Sequence, residues 1–403
     1  VVAHTISSTN ASRQDLMTIP ADELPRHTFS MKGLGKEFTV DVKYTPLKIL
    51  GSGAYGVVVA ARDHALDRKV AIKQVANVFD DEIDALRVLR EIKLLRHFNH
   101  TNIVKLYDIV QPVSLERFRD LYLVMEHMDS DLHKIAQSTP RQLTDDHVKY
   151  ILIQLLSGVN HMHSANVIHR DLKPSNILLN AACDLRICDF GLARGVYTDG
   201  QSDQMPMTEY VVTRWYRAPE VLCSAPYSYP VDMWSIGCIF AEMLKSEPLF
   251  PGDNSADMLK RIQQVLGTQA MAQLKTRTNH PRALQFLTDM KPCPPIPFTR
   301  LYPKASASAI DLLSSMLRAV PEERITIEQA LAHPYLQTFI SAHVVTPVDT
   351  FCFDFEKGAH SRDAIRHLMY GEVCSLHALP TAQPPSSPSF QPLPAGVRRS
   401  RSE

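Results

Sequence analysis

The sequence predicts an α+β fold of two unequal lobes, a small mostly-β lobe with one helix followed by a large mostly-α lobe. Three observations predict it. Between residues 44 and 61 two short apolar runs flank a glycine-rich turn, which is the pattern of a β-hairpin. Over residues 144–164 the apolar residues Val148, Ile151, Leu155 and Val159 fall at helical spacing. Past that helix the chain grows dense in short motifs of charged and polar residues, from Ile168 to Glu220. The length of 403 residues exceeds one ordinary domain of ~100–200 residues and suits a two-lobed core with extra ends.

Residues 1–43 are polar, without sustained periodicity, and are expected to form a flexible lead-in with short structure near its end. Tyr44–Leu50 reads as a strand. It enters Gly51-Ser52-Gly53-Ala54-Tyr55-Gly56-Val57-Val58, a GxGxxGxV match, and Val57–Ala61 reads as the returning strand. Glycines at 51, 53 and 56 let backbone N–H groups approach phosphates, since no Cβ intervenes. Because a strand follows the loop rather than a helix, a dinucleotide site is disfavoured and a hairpin lid over ATP is favoured. Val58 and Ala71 are expected to line that site. Val70-Ala71-Ile72-Lys73 places a lysine on an apolar strand, where its charge needs a partner. Lys73 is expected to meet the ATP phosphates and a helix glutamate. That glutamate is Glu91, on a helix from Asp80 to about Phe98 whose acidic start suits the macrodipole. Ile83, Leu86, Leu94 and Leu95 supply much of its apolar face, and Arg87 and Arg90 lie beside Glu91. Residues 102–109 and 119–125 read as two more strands. Met125 opens the adenine pocket, and Glu126, His127 and Met128 form a hinge whose backbone can bond the adenine edge. Asp129 and Asp131 suit ribose or substrate, or a solvated face, equally well.

A long helix is predicted over 144–164, with Thr144 as N-cap and Asp145 and Asp146 in its first turn. It leads into IHRDLKPSNILL, where Asn176 follows Asp171 by five residues. Asp189-Phe190-Gly191 and then Ala218-Pro219-Glu220 come next in order. HRD with its Asn, DFG and APE at these spacings form the catalytic set of protein kinases. Phosphoryl transfer needs positioning and charge neutralisation more than covalent help. Asp171 can orient a substrate hydroxyl or take its proton, and Lys173 can meet the transferred phosphate. Asn176 and Asp189 offer the oxygen ligands that Mg²⁺ prefers. Leu178 is expected below the adenine. Cys183 and Cys188 flank a short strand and read as small buried residues; Cys188 would lie at the floor of the ATP site, within reach of electrophiles.

The loop between Gly191 and Ala218 contains Thr208-Glu209-Tyr210. Phosphorylating both hydroxyl residues would add roughly −3 to −4 charge, which needs cationic partners. Arg87, Arg90 and Arg170 are candidates to receive phospho-Thr208, and Arg214 and Arg217 to receive phospho-Tyr210. Such pairing would tie the Glu91 helix to the loop and assemble the site.

With HRDLKPSN (169–176), CDLRICDFGLAR (183–194), TEY (208–210), VVTRWYRAPE (211–220), VDMWSIGCIFAEM (231–243) and ERITIEQALAHPYL (323–336), the chain resembles the mitogen-activated protein kinases of the extracellular signal-regulated group. The resemblance spans about Tyr44 to Tyr370. It implies a kinase domain over 44–336, with a small lobe at 44–126, a large lobe at 127–336 and an insert at about 253–303. It also implies ATP, Mg²⁺, activation by an upstream dual-specificity kinase, reversal by phosphatases, and transfer to Ser or Thr followed by Pro. Asp232 is then expected to support the catalytic loop, Thr213 to contact Asp171, and Glu220 to pair with Arg324. A catalytically silent scaffold of the same fold is the competing reading. It should have lost Lys73, Asp171, Asn176 or Asp189, and all four are present. A cyclin-dependent relative is disfavoured by TEY and the insert.

Composition limits the alternatives. Forty-three basic and 43 acidic residues give a formal net charge of +0, which argues against charge-driven binding to nucleic acid or membrane. Seven scattered cysteines without a CxxC pair suggest a reducing compartment. There is no apolar run of ~18 residues. The first residue is Val rather than Met, which suggests a trimmed start, and the first thirty residues hold no signal-peptide core of ~7–15 apolar residues. A monomer in the cytoplasm is expected, with the nucleus as a possible second location; Arg398-Arg399-Ser400-Arg401 reads as a solvated tail ahead of a nuclear-import or phosphosite cue. Residues 337–378 are expected to pack on the kinase. After HPYL the acids Asp349, Asp354 and Glu356 are dispersed, so basic docking peptides should bind weakly or in another arrangement. Residues 379–403, rich in Pro and Ser, should be disordered, with Ser387-Pro388 a self-phosphorylation candidate.

Overall fold

A computed structural model of the chain describes residues 25–30, 37–53, 56–138, 143–196, 213–343, 345–357 and 361–377. Thr208, Tyr210 and the tail after 377 lie outside the described residues, as does the start before Pro25. The small lobe is built on a five-stranded antiparallel sheet. Its strands are β3 (Tyr44–Gly53), β4 (Gly56–Asp63), β5 (Arg68–Val75), β6 (Leu106–Ile109) and β7 (Leu121–Glu126), in the order β3-β4-β5-β7-β6. β5 is central. Its register sets Lys73 opposite Val58 on one side and Leu123 on the other, and Ala71 opposite Ala60 and Met125. The strand expected over 102–109 starts only at Leu106; Ile103 instead makes an isolated bridge to Ile187 of the large lobe.

Gly56 opens β4 at φ 140°, and a Cβ there would lie 1.7 Å from the Gln74 carbonyl oxygen. The backbone therefore passes too close to β5 for any side chain. Gly56→Ala should destabilise the fold by about 1–3 kcal/mol, read as a lower denaturation midpoint, with weaker ATP binding as the loop shifts.

Part of the expected flexible lead-in is ordered. β1 (Arg26–Ser30) and β2 (Glu37–Asp41) form a hairpin in which Arg26 pairs with Asp41 and Ser30 with Glu37. The cause is aromatic packing: Phe38 and Val40 are fully buried, Phe29 packs on Phe38 at 5.3 Å, and Phe38 meets Tyr122 edge-on at 5.4 Å. The alternation in Glu37-Phe38-Thr39-Val40-Asp41 is the period-2 signal for it.

Helix α1 (Glu82–His97) is capped by Asp81, whose carboxylate accepts from the Asp84 N–H. Its buried face is Ala85, Val88, Leu89, Ile92, Leu94 and Leu95. Ile83, expected on that face, is 52% exposed: it lies in the first turn, and burial starts at Ala85. Arg87, Arg90 and Glu91 are buried instead.

The large lobe centres on α3 (Asp145–Ser164) and α4 (Pro230–Lys245); α2 (Leu132–Gln137) precedes them. Thr144 caps α3 through a capping box with His147. α4 is buried on nearly every side from Val231 to Met243, so its sequence reads as a core helix rather than an amphipathic one. The insert region carries α5 (Ser255–Leu266) and α6 (Pro281–Asp289), and α7 (Ala307–Met316) packs on α4. After the lobe, α8 (Arg362–His377) returns to the small lobe. It lays Ile365, Met369 and Val373, four residues apart, against the core beside α1. Lys93 and Arg96 of α1 bond the Glu372 carboxylate. Cys183, expected in the core, instead sits half-buried at φ 63° in the turn between the strands Ile177–Leu179 and Leu185–Ile187. The Asn180 side chain shapes that turn by accepting from the Ala182 and Asp184 amides.

Candidate active site

β5 and α1 bring Lys73 and Glu91 together. Lys73 Nζ donates to Glu91 Oε1 at 2.7 Å and to Oε2 at 2.8 Å. Burial works against an ammonium ion here, but Glu91 and Asp189 outweigh it and hold Lys73 above the ordinary lysine range. Burial likewise works against the Asp189 carboxylate. Lys73, Lys173 and His169 reverse it, and Asp189 stays below the usual carboxylate range.

The catalytic loop is held from beneath. Asp232 of α4 is fully buried and accepts from the His169 amide at 2.8 Å, the Arg170 amide at 2.9 Å and His163 Nε2 at 2.9 Å. Those bonds keep its carboxyl below the ordinary range despite burial. They also hold Arg170 at φ 67°, a left-handed conformation that a residue with a Cβ adopts only under constraint. His169 closes the loop from the other side. Its Nδ1 accepts the Asp171 amide at 3.3 Å, so its Nε2 carries the proton and donates to the Cys188 carbonyl at 3.1 Å.

Asp171 is thereby fixed in the cleft. Lys173 Nζ donates to its Oδ2 at 2.6 Å, and Asn176 Nδ2 approaches the same atom at 3.3 Å while donating to the Asp171 carbonyl at 2.9 Å. Among the described residues these bonds fall on Oδ2, which leaves Oδ1 toward an incoming hydroxyl. Burial raises the carboxyl above the ordinary Asp range and Lys173 offsets only part of that, which makes it a better proton acceptor. The cleft is lined by Lys73, Glu91, Asp171, Lys173, Asp189 and Gly191 among others. Asp189 sits at φ 67°, and the adjacent Phe190 is fully buried between Phe98 and His169.

Of the residues expected around adenine, Ala71 and Met125 are cross-strand partners, Val58 pairs with Lys73, and Leu178 is half-buried on a strand next to Asp131. Glu126 is bound elsewhere. Arg186 Nε donates to its carboxylate at 2.9 Å and its own N–H donates to the Lys105 carbonyl at 2.9 Å, so neither its carboxylate nor its N–H is left for a base edge. Met128 is buried. Gly51 and Gly53 lie at the end of β3. Asp131 caps α2, accepting from the Lys134 amide, and Asp129 accepts from the Ala181 amide; both acids therefore have structural bonds.

The candidate phosphate-pairing arginines divide. Arg87 Nη1 bonds Asp84 at 2.7 Å. Arg90 reaches the Gly191 carbonyl and Glu356. Arg170 Nη1 donates to the Leu192 carbonyl at 3.3 Å, with its guanidinium over the Tyr227 ring. Arg217 is half-buried and feels the Asp171 charge, with Arg214 close enough to repel it. Arg194 was not singled out by the sequence reading. Burial, and after it Arg90 and Arg170, lower it to about 10, so it belongs to the same cationic group. Its signal was the Arg that ends Asp189-Phe190-Gly191-Leu192-Ala193-Arg194. Thr213 is exposed and, among the described residues, makes no hydrogen bond to Asp171.

Cys188 bears on the expected reactivity of this site. It is only half-buried by side-chain exposure, and its Sγ lies 3.5 Å from the Asn176 carbonyl. Desolvation and the adjacent Asp189 push the thiol well above the ordinary range, so thiolate is scarce at neutral pH. Iodoacetamide at pH 7.5 should label exposed Cys352 faster than Cys188 by about tenfold or more, as followed by peptide mass spectrometry.

Residues 44–336 match the family model described as protein kinase domain. The chain is 47% identical over 341 residues to Mitogen-activated protein kinase 4 of Oryza sativa subsp. japonica, covering 84% of this chain and 91% of the relative. It is 46% identical over 355 residues to Mitogen-activated protein kinase 2 of Arabidopsis thaliana, covering 87% and 92%. It is 44% identical over 361 residues to Extracellular signal-regulated kinase 1 of Dictyostelium discoideum, covering 89% and 66%.

Proposed function

The chain belongs to the mitogen-activated protein kinases, Ser/Thr phosphotransferases of signalling cascades that use ATP, and from that premise we propose that it phosphorylates Ser or Thr followed by Pro. The observation that carries transfer is the Lys73–Glu91 pair at 2.7 Å, formed across the same cleft as Asp171 and Asp189. Lys73 stays cationic and orients the phosphates of the nucleotide under the glycine-rich hairpin. Asp171 Oδ1 orients the substrate hydroxyl and takes its proton. Lys173 holds Asp171 by one bond and offers its charge to the transferred group.

Asn176 and Asp189 would hold Mg²⁺. A carboxylate kept anionic and an amide oxygen are hard donors, and together they supply too few ligands for an ion without phosphate oxygens. Bound there, Mg²⁺ would neutralise charge on the phosphates.

Activation comes from an upstream dual-specificity kinase acting on Thr208 and Tyr210, with phosphatases reversing it. The active form is a monomer that binds neither nucleic acid nor membrane and works in the cytoplasm, with nuclear entry. No described helix is long and apolar enough to cross a membrane.

The test is transfer of labelled γ-phosphate to paired Ser-Pro and Ser-Ala peptides by verified doubly phosphorylated protein, with Asp171→Asn as control. Preferred labelling of Ser-Pro, lost in the control, is expected. Equal labelling of both peptides removes the proline rule, and no labelling of either rejects the transfer reading.

A further inference from the structure

Residues 345–353, beyond the 44–336 domain, form neither helix nor strand. They strap α3 of the large lobe to α1 of the small lobe. Just ahead of them, His343 Nδ1 lies 3.0 Å from the Ser157 hydroxyl. Thr346 Oγ1 lies 3.1 Å from His161 Nδ1, and the Phe351 amide donates to the Ala165 carbonyl at 2.9 Å. On the α1 side, His97 Nε2 donates to the Asp349 carbonyl at 2.9 Å, and the Phe351 ring meets His97 edge-on at 5.1 Å.

His161 depends on the Thr346 bond. It is 5% exposed, stacks on His100 at 4.7 Å and meets the Phe98 ring at 5.8 Å. Its Nε2 is buried and, among the described residues, has no hydrogen-bond partner. Burial, and after it His100, pull its pKa down to about 4, so the imidazole is neutral at pH 7. The Thr346 hydroxyl therefore rests on an uncharged, aromatic surface.

Thr346 is followed by Pro347. Among the described residues the other Ser/Thr-Pro pair is Thr45-Pro46, and Thr45 is paired with Arg62 inside the five-stranded sheet. Thr346 has no ladder to break. It is half-buried between Val345, 76% exposed, and exposed Pro347. A stretch with so few backbone bonds opens locally at far lower cost than a sheet strand.

We propose that Thr346 is a phosphorylation site, modified by a second copy of this chain, and that the phosphate keeps the strap from closing again. The inference rests on the reading that the chain acts on Ser or Thr followed by Pro. The Thr346 hydroxyl oxygen bonds to the γ-phosphorus of ATP, the bond from that phosphorus to the β–γ bridging oxygen breaks, and ADP leaves. The hydroxyl proton passes to Asp171 of the copy acting as enzyme. The phosphate brings about −1.5 to −2 charge. Back in its place it would lose water while His161 offers no charge in return. It stays in solvent, His161 is left without its bond, and the lobes lose a tether.

The test uses verified doubly phosphorylated wild-type protein as enzyme, full-chain Asp171→Asn as acceptor and a Ser-Pro peptide in the same reaction with Mg-ATP. Sites are mapped by mass spectrometry. Phosphate on Thr346 of the acceptor is expected, and its loss when Thr346→Val is added. Hydrogen exchange at the Phe351 amide should then quicken by about tenfold or more on Thr346 phosphorylation, and should not respond to ATP treatment in Thr346→Val. A labelled peptide with Thr346 unmodified would overturn the inference, including where Ser387 alone is modified in the acceptor. Thr346 modified with unchanged exchange at Phe351 would overturn the release of the strap. A peptide and a Thr346 both left unlabelled would reject the transfer reading, and the inference with it.

Discussion

Asp171→Asn should lower kcat by about 10²- to 10⁴-fold, with KM for ATP changed by only a few-fold. The geometry separates the two effects. Asn is isosteric, so the bonds that Lys173 and Asn176 make to the catalytic loop can persist in part. Asp232 still holds the loop through the His169 and Arg170 amides, and Lys73 still meets Glu91. Nucleotide binding therefore survives. What disappears is the acceptor for the hydroxyl proton, a group that matters only as transfer proceeds. Steady-state kinetics on phosphorylated protein reads both constants. A fall in kcat below tenfold would show that Asp171 orients the hydroxyl without taking its proton. A large rise in KM for ATP would show that the substitution disturbs the nucleotide site.

The same contrast explains what was legible in the sequence. Lys73, Asp171, Asn176 and Asp189 could be read because each is fixed at a set spacing to its neighbours in one motif. Glu91 needed only a helix and a count of turns. Arg90 and Glu356 meet across 266 residues, and no local pattern announces a long-range partner. The pairing of residues 26–30 with 37–41 was foreseen only as short structure near the end of the lead-in, for a related reason. Its strands are only five residues long, and what orders them is Tyr122, far along the chain. Ile83 was misplaced because periodicity assigns a face to the whole helix, whereas burial begins only where α1 meets its neighbours. Glu126 was expected in the hinge by position, but Arg186 holds its side chain, and that pairing too is non-local.

Arg324→Met should destabilise the fold by about 3–5 kcal/mol, more than most single substitutions, because it strands a buried carboxylate. Arg324 and Glu220 are 0% and 1% exposed. Two parallel bonds join them, Nη1 to Oε1 at 2.7 Å and Nη2 to Oε2 at 2.6 Å. The remaining donors reach the carbonyls of Pro230, Ala319 and Arg318, so all five N–H groups of the guanidinium are spent. Lysine cannot replace it, since an ammonium has three donors and no fork. In Arg324→Met the carboxylate loses its partner and three carbonyls lose their donor. Adding Glu220→Met removes the stranded charge but not the orphaned carbonyls, so the double variant should recover only part of the loss. Chemical denaturation of the wild type, both single variants and the double variant gives the cycle. Full recovery in the double variant would mean that the carbonyl bonds contribute little. A loss in Arg324→Met below about 1 kcal/mol would mean that water reaches Glu220 once the arginine is gone, and that the pair holds the start of α4 less firmly than its burial implies.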